Sequence, residues 1–323
     1  MVRQRSAKPL SAGSIPAVAS TFNFASTVVS HGWYLLAPFR WSREERILRR
    51  PEVLGGKAVD LEITHEHDAL VIRGAAMTPE LRAKMTRMFQ LDLDLGEFVA
   101  IARASEAHAW IETAGFGRLL CGSTLFEDVV KIILTTNTMW KQTMRMCELL
   151  VEKCGRRTPL GFAAFPEPAD VARFSAAELQ EECRLGYRAK SIHAVAALFR
   201  HPESAQRDEG SQNARYLPFG DPSASSRLRM TTPELFAYYR KLPGIGPYGA
   251  AHLLAMDGRH DFIAVDTEFR RFVRERYHRG RNVSERTMLR HYAKWGRWKY
   301  LGYWSELWES VADALQPLEK RGQ

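Results

Sequence analysis

The sequence predicts an α+β fold, with an antiparallel sheet and attached helices first and a mostly α-helical remainder after it. Three observations carry this. Between Phe22 and Arg73 the apolar residues come in short, strand-like runs. After about Ile111 their spacing turns helical. Residues 242–248, Leu-Pro-Gly-Ile-Gly-Pro-Tyr, read as a tight turn between two helices.

In chain order, residues 1–20 are rich in Ser, Ala and basic residues and lack a continuous apolar stretch, so a disordered tail is expected rather than a signal peptide. Val59, Leu61 and Ile63 alternate with polar residues, and Leu70-Val71-Ile72 follows the polar turn His65 to Asp68. Thr78 caps an expected helix through Met88, and Leu95 to Ala102 gives another. Thr124 to Glu127 has the capping-box pattern. Val129, Val130, Ile132, Ile133 and Leu134 then predict a largely buried helix ending near Thr136-Asn137. Helices are expected over Met139–Lys153, Ala176–Arg184 and Ser191–Phe199, the last two flanking Gly186-Tyr187. Residues 201–230 are polar, and a loop of that length predicts a mobile insertion. Pro233–Lys241 and Tyr248–Met256 form the hairpin pair, Asp266 caps a helix through Tyr277, and a last aromatic helix spans about Leu289 to Leu315. The expected division is a tail (1–20), a sheet domain (21–112) and a helical region (113–323).

The length of 323 residues suits two or three compact domains with real cores. No run of 18 apolar residues occurs, so no membrane-spanning helix is expected. The four cysteines (Cys121, Cys147, Cys154, Cys183) lack CxxC spacing and read as reduced residues of a cytoplasmic protein. Cys147 and Cys154 lie a heptad apart, which fits core packing better than a metal site. The net charge is +9. Between Arg270 and Lys299 stand eleven Lys/Arg against only Glu275 and Glu285, an excess as large as that of the whole chain. Such a cluster attracts polyphosphates. Taken alone it could also be a solvated helix face or contact an anionic membrane surface.

The hairpin favours nucleic acid. Gly244 and Gly246 can take positive φ and keep the turn clear of side chains. Pro247 suits the first position of the next helix. The unpaired backbone N–H groups at that helix start form a cradle for a phosphate. Twenty residues after Gly246 stands Asp266. A phosphate cradle followed by a carboxylate points to a protein that grips DNA and does chemistry on it.

The block Leu242 to Tyr248 with Val265-Asp266-Thr267 resembles the helix-hairpin-helix, Gly/Pro-rich, Asp (HhH-GPD) superfamily of DNA glycosylases. Ser123 to Asn137 resembles the first long helix of that family's helical domain. Leu185 to Lys190 is similar to a loop of its 8-oxoguanine and alkylpurine (3-methyladenine) branches, and Trp295 to Trp308 to their closing helix. The N-terminal sheet fits their extra, TBP-like domain. The resemblance covers about residues 22 to 315.

This resemblance implies base excision repair, with damaged double-stranded DNA as partner, no membrane, a monomer, and a cytoplasmic, nucleoid-associated location. It implies that Asp266 is the catalytic carboxylate, while Asp is also simply a favoured N-cap. As both, it would be kept ionised by the helix dipole and would stabilise the positive charge that develops on the sugar. Where bifunctional members carry a Schiff-base lysine, this chain has Tyr248, which implies a monofunctional enzyme using water. Leu242, Gly244, Ile245 and Gly246 of the hairpin, with Arg188, Lys190 and Arg270, are expected at DNA. Asn137 is expected either to plug the gap left by an everted base or to end its helix. Tyr248, Trp140, Tyr187 and Tyr303 are expected in the base pocket, and Trp304 and Trp308 could also stack there, although core packing competes for each. Tyr303 aligns where the 8-oxoguanine branch reads its base with Gln, which favours alkylated purines. An oxidised purine and a catalytically silent hairpin protein remain the alternatives. No cysteine follows Cys183, so no iron–sulfur cluster and no side-chain metal site is expected. The resemblance leaves room for a monovalent cation on the hairpin carbonyls.

Overall fold

Two-residue turns and alternating side chains build the N-terminal sheet. In the computed structural model, which describes residues 12–16, 22–200, 227 and 229–315, β1 (Ala12–Pro16), β2 (Arg40–Ser42), β3 (Ile47–Leu54), β4 (Lys57–Glu66) and β5 (Ala69–Arg73) form one antiparallel sheet in the order β1-β5-β4-β3-β2. Gly55 and Gly56 join β3 to β4, and His67 and Asp68 join β4 to β5; all four have positive φ. Positive φ at both central residues matches the twist of the flanking strands. Leu48, Leu61, Ile63, Leu70 and Ile72 are buried in one core.

The segment expected as a tail is partly a strand. Ala12 to Pro16 pairs with β5 along its length and buries Ile15. The ladder groups on the outer side of β5 offered it a partner, which residue composition does not register. The rest of that tail lies outside the described residues. So does the expected insertion 201–230, apart from Arg227, Arg229 and Met230.

The helices are α1 (Phe24–Val28), α2 (Pro79–Met88), α3 (Gly96–Arg103), α4 (Trp110–Ala114), α5 (Leu125–Thr135), α6 (Trp140–Cys154), α7 (Pro168–Val171), α8 (Ala176–Glu182), α9 (Arg188–Arg200), α10 (Thr232–Arg240), α11 (Pro247–Met256), α12 (Thr267–His278), α13 (Glu285–Arg290) and α14 (Lys299–Leu315). Thr78, Thr124 and Asp266 cap their helices as expected. The final aromatic segment is not one helix. Gly296, at φ 54° and ψ −121°, kinks the 3-10 segment Ala293–Trp298 that precedes α14.

Every residue of α5 from Leu125 to Leu134 is buried, including Glu127, Asp128 and Lys131. The charges are paired. Arg50 of β3 meets Glu127 at 3.1 Å and Glu52 at 2.8 Å, and Lys131 meets Glu127 at 2.7 Å. Asp128 accepts from Trp33 Nε1 (2.8 Å) and pairs with Arg87 of α2 (2.6 Å). Glu127 therefore does not complete the capping box expected of it. Its carboxylate takes the Ser123 N–H (2.9 Å) and two cations instead. These contacts fix the sheet to α5. A second apolar core joins α3 and Ile111 to α12, α13 and α14. Each core draws residues from both sides of position 112.

Candidate active site

Helix α5 also supports the hairpin. After α10, Leu242 N–H donates to the Tyr239 carbonyl and Ile245 N–H to the Leu242 carbonyl, both at 3.1 Å. Gly244 lies at φ 80°, and a Cβ there would stand 2.8 Å from Ser191 Cβ and 3.3 Å from Ile133. Close approach to α9 and α5 thus requires glycine at this point. Gly246 departs from expectation: it is extended (φ −85°, ψ −177°) and is the N-cap of α11. One left-handed residue suffices to reverse the chain, and the cap position itself needs extended backbone. Leu242 and Ile245 bury their side chains, so only their backbone can face a nucleic-acid strand. No side chain caps α11. By helix geometry, the N–H groups of Tyr248 and Gly249 in its first turn have no partner within the helix. Among the hairpin carbonyls expected to hold a monovalent cation, that of Leu242 already accepts from Ile245.

Asp266 is the N-cap of α12, and its Oδ1 accepts from Phe269 N–H at 2.7 Å. It is half-buried, at the wall of a cavity of about 130 Å³. Burial raises its carboxyl above the usual Asp value, and Glu268 adds to this; the Phe269 N–H offsets it only in part. Expectation from the helix dipole alone was a carboxylate held firmly ionised. Desolvation outweighs that contribution here.

The other walls are mostly rings: Tyr248, His252, Tyr300, Tyr303 and Trp304, with Ile263 and Leu307. Tyr248 keeps 45% of its surface exposed and stacks on His252 (5.9 Å between centroids, 21°). Its phenol is pushed up to about 12 by burial, with Asp266 and Glu268 adding to the shift. Tyr300 stacks on Trp304 (5.8 Å, 8°), whose Nε1 donates to the Ser30 carbonyl at 3.0 Å. His31 and Trp33 each sit 5.5 Å from His252, so a segment next to the sheet closes this side. Burial lowers His252 to about 4, and burial together with His252 lowers His31 to about 3. Both imidazoles are neutral at physiological pH.

Of the expected pocket residues, Tyr248 and Tyr303 line the cavity and Trp140 and Tyr187 do not. Trp140 lies over Gly32, where a Cβ would stand 2.5 Å from its ring. Tyr187 is 59% exposed and belongs with Asn137: its hydroxyl lies 3.2 Å from Thr136 Oγ1 and 3.5 Å from Asn137 Nδ2. Thr136, not Asn137, is the C-cap of α5, and Asn137 follows it exposed at φ 45°. Trp308 stacks on Trp110 of α4 (5.6 Å, 15°), away from the cavity.

Arg188 is not available to a phosphate. It is buried, and its guanidinium donates to the carbonyls of Thr136 and of Asn137 (3.3 Å), bracing the end of α5. Lys190 is exposed. Arg270 is paired with Glu285 and the Val265 carbonyl. The basic segment is also less unbalanced than its sequence window. Glu268, Glu97, Glu306 and Glu309, all but one distant in sequence, pair with Arg271, Arg297 and Arg276. Arg279, Arg281, Arg286 and Arg290 stay exposed.

His252 lines the cavity but was not among the residues expected there from the sequence. A signal was present: it stands four residues after Tyr248 on one helix, hence on the same face. His31 and Trp33 gave none. A larger cavity of about 480 Å³, lined by Arg87, Gln90 and Asp257 among others, holds none of the expected site residues.

A family model for the HhH-GPD superfamily of base excision DNA repair proteins matches residues 130–297, just over half the chain, from within α5 through the hairpin and Asp266. The chain belongs to this HhH-GPD superfamily. Solved structures share its fold. A 3-methyladenine DNA-glycosylase from Archaeoglobus fulgidus superposes with a TM-score of 0.68 at 20% identity, over 92% of this chain and 98% of that one. MBOgg1 in complex with a low-affinity DNA ligand gives 0.66 at 18%, over 92% and 96%. The apo form of an 8-oxoguanine glycosylase/lyase from Clostridium acetobutylicum gives 0.59 at 17%, over 85% and 93%. No curated protein sequence matches the chain. For this HhH-GPD protein the N-terminal sheet is thus part of a shared architecture. No helix among the described residues is long and apolar enough to cross a membrane.

Proposed function

We propose that this protein is a monofunctional DNA glycosylase that everts an alkylated purine from duplex DNA and hydrolyses its N-glycosidic bond. The observation that carries this reading is a half-buried carboxylate, Asp266, on a cavity walled by aromatic rings and lined by no Lys or Arg. Breaking the bond builds positive charge on the sugar. A fixed anion beside that carbon stabilises this charge and orients water for attack. No cation competes for the carboxylate. An N-alkylated purine also carries positive charge, which ring faces attract. It leaves as a neutral base and needs no acid, which suits a cavity whose one imidazole, His252, is unprotonated.

Tyr248 stands where bifunctional members carry lysine. A phenol forms no Schiff base, so water is the nucleophile and an abasic site the product. The hydrolysis uses no cofactor. The N–H groups starting α11 suit a backbone phosphate, and the exposed Asn137 and Tyr187 suit the gap left in the base stack.

A panel of duplexes, each with one methylated, deaminated or oxidised base, tests this in single turnover. Release is expected from methylated purines, with strand breaks appearing only after alkali. Preferred release of 8-oxoguanine would reassign the substrate, and a borohydride-trapped adduct would exclude the monofunctional mechanism. Absence of release from every duplex would leave a DNA-binding protein.

A further inference from the structure

Stabilising the sugar cation through Asp266 makes no use of His252. This residue is 4% exposed and lines the same cavity, with Nδ1 2.9 Å from the Tyr300 hydroxyl. That bond can run either way. If Nδ1–H were the donor, the Tyr300 proton would need another acceptor, and among the described residues its hydroxyl has no other hydrogen bond. Tyr300 is itself buried, and a buried donor without an acceptor is costly. With Tyr300 donating, its hydroxyl proton and Nδ1 are both satisfied, and the imidazole proton must sit on Nε2. Burial favours the neutral forms this requires, lowering His252 to about 4 and raising the Tyr300 phenol.

Nε2 has no hydrogen bond among the described residues. It is also absent from the buried polar atoms sealed off without a partner, so it remains accessible. On a residue this buried, the cavity is the way to reach it.

We infer that His252 reads the everted base: Nε2–H donates to an acceptor, a ring nitrogen or carbonyl oxygen, on the purine edge, while Tyr300 fixes the imidazole tautomer. This rests on the glycosylase reading. It makes His252 a specificity-determining residue and Tyr300 a positioning residue. Bases that present only N–H groups at that edge are disfavoured, because two donors would face each other.

Two measurements on the full chain test it. Nitrogen-15 NMR, with the His252 signals identified by their loss in His252→Gln, is expected to show the Nε2–H tautomer, and Tyr300→Phe is expected to mix the two tautomers. An Nδ1–H tautomer in the wild type overturns the inference. In single turnover on a 7-methylguanine duplex, His252→Leu is expected to slow release about tenfold, near the upper range for one neutral hydrogen bond. His252→Gln, which keeps an N–H donor, is expected to recover it to within about threefold. If Leu matches the wild type, or Gln is as slow as Leu, the ring acts only by packing and the inference falls. A wild type that releases no base from any lesion duplex removes the glycosylase reading and this role together, whereas an active wild type with an unaffected Leu variant removes this role alone.

Discussion

Glu127 and Asp266 are both carboxylates sunk into the protein near helix N-termini, and their surroundings push them in opposite directions. Burial alone would raise Glu127, but Arg50 and Lys131 overcome it and hold the carboxyl down at about 2. Burial raises Asp266, and no cation opposes it; backbone N–H groups, that of Phe269 first, give partial compensation. The first carboxylate is neutralised and ties β3 to α5. The second is compensated only in part on a cavity wall, where a developing positive charge would supply what the fold does not. The difference separates a charge that serves stability from one that suits the chemistry proposed for it.

The largest expected effect breaks the first site. Glu127→Ala leaves Lys131 without its carboxylate and Arg50 with Glu52 alone in the core, and a loss of about 3–5 kcal/mol in denaturant unfolding is expected. A loss below about 1 kcal/mol would mean that this seam does not hold the sheet. Asp266→Asn breaks the second. Base release is expected to fall at least about a hundredfold, or about 2.7 kcal/mol, while lesion-DNA affinity and the unfolding midpoint barely move, since Asn also caps helices well. Equal single-turnover rates for mutant and wild type would remove Asp266 from the mechanism.

Acid sharpens the contrast. Glu127 has a depressed value, so its contribution is present above its ordinary value of 4.5 and is lost as pH falls toward about 2. Unfolding followed across that window should show a steeper loss in wild type than in Glu127→Gln. Asp266 has a raised value, so its contribution is present below 3.8 and lost as pH rises through the raised value. Base release is expected to run the other way, because the proposed mechanism uses the ionised form. Its acid limb is expected above pH 3.8, and a rate flat down to that pH would contradict the assignment. The smallest effect concerns the basic edge. Arg279→Ala and Arg281→Ala should each weaken DNA binding at all sequences and lower the salt slope by about 1. The paired Arg271 and Arg297 should matter less in the same titration.

Much of this molecule was legible from the sequence because it depends on neighbours along the chain. The turn within His65 to Asp68, the caps at Thr78, Thr124 and Asp266, the buried face of α5 and the hairpin follow from local geometry, side-chain period and the need to satisfy helix ends. Composition misread Ala12–Pro16, and periodicity ran through the break at Gly296, because an edge partner and one left-handed glycine leave little trace in either. The tertiary structure alone decided which rings surround Asp266, that Arg188 braces α5, that distant glutamates quench part of the basic segment, and that His31 and Trp33 close the cavity beside His252. The physical reason is that spacing along a helix reports which residues share a face, while the solvation and charge at that face are set by whatever distant residues fold against it.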